Sequence, residues 1–147
     1  MRQEKRITIE DRGNKLEFVV REMTATQLED WTMRAVLVLA GAGSDIPASG
    51  GVEGIGKYLA DHGLAAIGAV DYAKAKPLLD EMLGCCFRVV DRMEEKVTPE
   101  TADAYIQDMS TLFKLRLEAF KVNFSFFGSG NPSAFPEKAS TVRLSAR

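Results

Sequence analysis

Two short runs in which apolar and polar side chains alternate do more than any other feature to limit what this chain can fold into. In the first, Ile7 and Ile9 alternate with Arg6, Thr8 and Glu10; in the second, Leu16, Phe18 and Val20 alternate with Lys15, Glu17 and Arg21. A period of two gives each run one apolar face and one charged face, the pattern of half-buried strands. Between them lies Asp11-Arg12-Gly13-Asn14, where Gly13 and Asn14 suit the positive φ values of a tight turn. The expectation is a β-hairpin over residues 6 to 23. A lone hairpin is marginal in water, so its apolar face must dock on the rest of the domain or on a partner.

The rest of the chain reads as helical. Thr24 followed three residues later by Gln27 is a capping pair, and Leu28, Trp31, Ala35 and Leu39 then recur at helical spacing. From Ala35 onward every face is apolar, which predicts a central core helix. Residues 41 to 51 hold four glycines and Pro47 and read as a surface loop. Val52 to His62 predicts a short helix ended by Gly63, with His62 capping its last carbonyls. Asp71 suits the cap of another helical turn, and Pro77 the first turn of a helix over residues 78 to 85. Phe87, Val89 and Val90 allow a short strand or an extended link, and Glu94, Glu95 and Lys96 a solvated turn or helix edge.

Thr98-Pro99-Glu100 combines a cap, an N1 proline and an early carboxylate, a strong helix start. Ile106, Met109, Phe113, Leu117, Phe120, Phe124 and Phe127 follow at steps of three or four, so one stripe along a helix of roughly 40 Å is predicted. Phe120, Val122, Phe124 and Phe126 also alternate with Lys121, Asn123 and Ser125, which leaves a strand over residues 120 to 127 open. The predicted fold is therefore mainly α: an N-terminal β-hairpin followed by a compact helical domain with a long C-terminal helix. Residues 1 to 127 form that single domain. Residues 128 to 147 are rich in Gly, Ser, Pro and basic side chains and read as a flexible tail.

Composition closes off several function classes. A chain of 147 residues with 46% apolar and 27% charged side chains has enough material for one real core. Its formal charge of -2 gives no footprint for a phosphate backbone, so nucleic acid is not the expected partner. The longest strongly apolar run, Ala35 to Ala40, is far below the ~20 residues that span a bilayer. No apolar signal segment opens the chain, so a cytoplasmic location is expected. Cys85 and Cys86 are adjacent and read as reduced, buried thiols.

Catalytic constellations fail on residue type. Gly51-Val52-Glu53-Gly54-Ile55-Gly56-Lys57 matches the first seven positions of a phosphate-binding loop, but Tyr58 stands where a small hydroxyl must hold Mg²⁺. His62 is the single histidine, which rules out multi-histidine metal sites. Asp80 and Glu81 are neighbours on a helix and point about 100° apart. No catalytic residue, cofactor, metal or small-molecule substrate is expected, and the chain reads as a non-enzymatic, polypeptide-binding protein. The aromatic stripe is its richest feature: five of the eight phenylalanines fall between Phe113 and Phe127. Trp31, Leu117, Phe120, Phe124 and Phe127 are the predicted partner-binding residues, with burial in the core the open alternative for Trp31 and for the phenylalanines.

The order of elements, with Met23-Thr24-Ala25-Thr26-Gln27-Leu28-Glu29-Asp30-Trp31, Lys74 to Leu83 and the helix carrying Leu112 to Phe127, resembles the tail assembly chaperones of long-tailed bacteriophages and prophages. That resemblance covers about half the chain and carries no strict signature. It implies a helper that binds the apolar, helical tape measure protein, helps recruit tail tube subunits and forms homo-oligomers in the bacterial cytoplasm. It supplies no catalytic residues to transfer. Two alternatives stand beside it: a structural virion subunit such as a tail completion or connector protein, and a nucleotide-binding protein using the Gly51–Lys57 loop.

Overall fold

A computed structural model describes residues 2–41, 43, 51–68 and 70–125. The predicted hairpin is present and longer than expected at its start: β1 (Glu4–Asp11) pairs antiparallel with β2 (Asn14–Arg21), placing Ile7 opposite Phe18 and Ile9 opposite Leu16. The positive φ values fall on Arg12 and Gly13, not on Gly13 and Asn14, so the turn is a two-residue loop with both central residues left-handed.

The hairpin is only half of a sheet, and this overturns the mainly helical expectation. Two more strands, β3 (Cys86–Val90) and β4 (Met93–Lys96), extend it in the order β1-β2-β3-β4, all antiparallel. The fold is mixed α/β. Val20 lies opposite Cys86, Val19 opposite Phe87, and Phe87 opposite Lys96. The missed strand is β4. Met93, Glu94, Glu95 and Lys96 are all exposed, so the segment has no buried face and no apolar alternation to betray it. Arg21 on β2 binds it, donating to Glu94 at 2.7 and 2.9 Å, while also pairing with Glu4 on β1 and lying 4.9 Å from the Phe87 ring centroid.

One face of the sheet, carrying Ile9, Leu16, Phe18, Val20 and Cys86, is buried. The helices cover it. α1 (Ala25–Gly41) starts at the predicted box, with Thr24 Oγ1 accepting from Gln27 N–H and Gln27 Oε1 accepting from Thr24 N–H. α2 (Gly51–Gly68) runs straight through Gly63, so His62 is not a terminal cap; its Nδ1 lies 3.0 Å from the Tyr58 carbonyl oxygen and its ring stacks on Tyr58. α3 (Tyr72–Leu83) contains Pro77 in its interior. The expected tail beyond residue 128 and most of the glycine-rich loop lie outside the described residues.

The predicted 40 Å helix is two helices. α4 (Pro99–Ala102) makes the expected capped start, with Thr98 Oγ1 accepting from Thr101 N–H, and then stops after one turn. α5 (Met109–Phe124) follows after a break and is helical through Phe124, which closes the strand alternative as far as that residue. The break is held by Asp11 at the end of β1. Its carboxylate is fully buried and accepts from Gln107 N–H at 2.8 Å, Asp108 N–H at 2.9 Å and Thr111 Oγ1 at 2.7 Å. Burial alone would raise its pKa, but the Gln107 amide, the Thr111 hydroxyl and the Asp108 amide outweigh it and hold Asp11 below the ordinary carboxylate value.

A carboxylate whose folded pKa is depressed contributes stability that is complete above the unfolded value, about 4, and is lost as pH falls through the folded one. Asp11→Asn turns an acceptor into a donor facing N–H groups and is expected to cost about 2–3 kcal/mol near neutral pH, with a shallower loss below pH ~4. Urea titrations across pH measure both. The β3–β4 turn places two non-glycine residues, Asp91 (φ 50°) and Arg92 (φ 68°), in the left-handed region. Arg92→Gly is therefore expected to raise stability by about 0.5–1 kcal/mol in the same assay.

Candidate partner-binding surface

α5 is the element that sets the surface. Asp108 caps it by accepting from Ser110 N–H, and Leu115, Ala119 and Val122 are buried as it packs on β1 and β2. Asn123, also buried, locks its far end: Oδ1 accepts from Met23 N–H at 2.9 Å, and Nδ2 donates to the Ala119 carbonyl at 2.9 Å. On the opposite side of this helix, steps of three and four align Met109, Phe113, Leu117, Phe120 and Phe124.

That single stripe has two fates. Trp31 covers its C-terminal half, with its ring centroid 6.2 Å from Phe120 and 5.6 Å from Phe124, while Phe120 and Phe124 sit 4.7 Å apart. Trp31 Nε1 donates to the Leu78 carbonyl at 3.0 Å, which fixes the indole between α3 and α5. Trp31, Phe120 and Phe124 are 0%, 4% and 2% exposed, so three of the predicted partner-binding residues are core. Leu117 is 43% exposed and remains on the surface, and Phe127 lies outside the described residues. Trp31 does not reach the N-terminal half, where Met109 is 73% and Phe113 62% exposed. These two belonged to the predicted stripe but were not singled out. Periodicity treats every member alike, and only the position of Trp31 separates them.

A second apolar pair, Met33 and Leu37, is exposed on α1 on the side away from Trp31 and Ala35. Tyr72, Val90 and Met93 are also exposed, and ion pairs bridge the helices. Arg34 donates to both oxygens of Glu81 at 2.6 Å and to Asp30 at 2.9 Å, joining α1 to α3. A groove of about 720 Å³ lies between the sheet, α3 and the start of α4, lined by Arg21, Glu22, Glu81, Cys85, Lys96 and Glu100 among others. Burial pushes the Cys85 thiol up to about 11, which favours its protonated form at neutral pH, and burial also raises Cys86.

The phosphate-loop reading fails on geometry as well as sequence. Gly51–Lys57 is the first part of α2, a helix rather than a loop, and Lys57 Nζ pairs with Asp61 at 3.1 Å. Among the described residues, no group of three or more His, Cys, Asp or Glu side chains is placed to hold a metal ion, and no helix is long and apolar enough to cross a membrane. No known protein family, curated protein or solved structure matches this chain.

The split of the stripe gives opposite expectations for two phenylalanines on the same helix face. Phe124→Ala removes a ring buried against Trp31 and should cost about 3–5 kcal/mol, whereas Phe113→Ala should change stability by no more than about 0.5 kcal/mol. Chemical denaturation of the two variants distinguishes them.

Proposed function

We propose that this chain is a non-enzymatic binding protein that covers an apolar helical segment of another polypeptide. The observation that supports this reading is the uncovered run Met109, Phe113 and Leu117, three large side chains on one face of a helix whose other members are core. An exposed phenylalanine flanked one turn on either side by methionine and leucine suits a helix laid alongside it, because each contact repeats at i, i+4 and i+8. Methionine adds tolerance for varied partners, since its unbranched side chain repacks easily.

The resemblance to phage tail assembly chaperones supplies the client class: a long, apolar, helical tape measure protein, with tail tube subunits recruited afterwards. In this reading Phe113 and Leu117, with Met109, take over the role that sequence periodicity spread across Phe120 and Phe124. Trp31, Phe120 and Phe124 act behind them by holding α5 in place.

Co-expression with a tape measure protein tests the proposal. The native chain is expected to keep the client soluble and to co-purify with it. Phe113→Ser combined with Leu117→Ser should reduce that binding by about thirtyfold or more while leaving circular dichroism and melting temperature nearly unchanged. Undiminished client binding by this folded double variant would refute the assignment of the surface.

A further inference from the structure

The two edges of the sheet are built differently. β4 is four residues long, and its Glu94 is engaged by Arg21. β1 is eight residues long and, among the described residues, pairs only with β2. In a hairpin closed by a two-residue turn the closing pair, here Asp11 and Asn14, is the hydrogen-bonded one. The alternation then leaves Glu4, Arg6, Thr8 and Glu10 with their N–H and C=O groups turned away from β2. Among the described residues no backbone hydrogen bond reaches those groups, and all four side chains are exposed.

The sequence along this open edge is Glu4-Lys5-Arg6-Ile7-Thr8-Ile9-Glu10-Asp11-Arg12, in which each charge has its opposite at the same distance on the other side of Thr8. Laid antiparallel against a second copy with Thr8 opposite Thr8, Arg6 meets Glu10, Lys5 meets Asp11 and Ile7 meets Ile9, each twice, while Arg12 lies in the turn beyond the strand. The neighbouring registers that keep the same sheet face fail. Centring on Ile7 sets Glu4 against Glu10, and centring on Ile9 sets Ile7 against the buried Asp11 and Thr8 against Glu10, leaving Arg6 with no opposite charge in the strand. A slip by one residue turns core-facing side chains to solvent. Like charges on an edge keep strands apart in every register, but here one register sets Arg6 against Glu10 at both ends of the pairing.

We propose that β1 pairs with β1 of a second copy of this chain, antiparallel about Thr8, joining two four-stranded sheets into one. Lys5 keeps Glu118 at 2.6 Å and Asp11 keeps its three donors, so the preference is carried by Arg6 with Glu10. Neither of those two has an ion pair within its own chain among the described residues. Thr8 stacks against its own symmetry mate at the centre, and half-buried Ile7 gains cover from Ile9 of the second copy. Because α5 lies along β1, from Thr111 near Asp11 to Glu118 near Lys5, the pairing sets two copies of α5 on one side of the joined sheet. The proposal rests on the edge alone and does not depend on the identity of any client.

Sedimentation equilibrium on the full chain tests it. A dimer is expected, weakening as salt is raised. Arg6→Glu alone and Glu10→Arg alone should each weaken it by about tenfold or more, and the two together should restore it. Thr8→Pro removes only an outward N–H and is expected to give a monomer with unchanged circular dichroism. A native chain that stays monomeric at its highest soluble concentration overturns the proposal. So does a dimer indifferent to Thr8→Pro, or one that the paired charge swap fails to rescue.

Discussion

Asp11 stands at the end of β1 and receives hydrogen bonds from residues 96, 97 and 100 positions further along the chain. Its carboxylate has no water to fall back on, so the donors must come from the protein, and their loss would leave a buried charge unpaired. Two of the three donors are backbone N–H groups that a continuous helix would have turned toward its own carbonyls. Satisfying Asp11 therefore requires the helix to stop after Ala102 and start again at Met109. The restart sets the rotation of α5, and that rotation decides which side chains meet the sheet and which meet solvent.

From there the layout of the domain follows. Leu115, Ala119 and Val122 are buried on one side of α5, and Phe120 and Phe124, a half-turn away, need a second layer. Trp31 supplies it, and its indole N–H is tied to the Leu78 carbonyl on α3. One large ring can cover only about two turns of helix. Met109, Phe113 and Leu117 on the remaining turns of the same stripe stay exposed, although the sequence pattern does not change along it.

What the residues disclose on their own reflects how local each cause is. The hairpin, the Thr24–Gln27 box and the Thr98-Pro99 start are visible because turn, cap and alternation act within a few positions. β4 is invisible because an edge strand with four exposed side chains owes its place to backbone pairing with β3 and to Arg21, neither of which leaves a periodic mark. The broken last helix is invisible for the same reason at longer range, since Asp11 looks like an ordinary hairpin residue. The partner-binding set shows the effect most clearly: Trp31, Phe120 and Phe124 go inside, and Met109, Phe113 and Leu117 stay exposed. Periodicity finds the stripe, and tertiary packing decides which half of it is available.

The same contrast between local and distant causes applies to the edges of the sheet. A short edge clamped by an ion pair needs no further protection, and β4 fits that description. An eight-residue edge with its outward backbone groups unpaired is a standing invitation to another strand unless its side chains forbid the approach. Those of β1 do not forbid it. They permit one register and oppose its neighbours, which is how a sequence admits a chosen strand while excluding indiscriminate ones. The order of charges in β1 is thus hard to derive from the monomer, in which Arg6 and Glu10 take part in no ion pair among the described residues, and it follows directly once a second β1 lies beside the first.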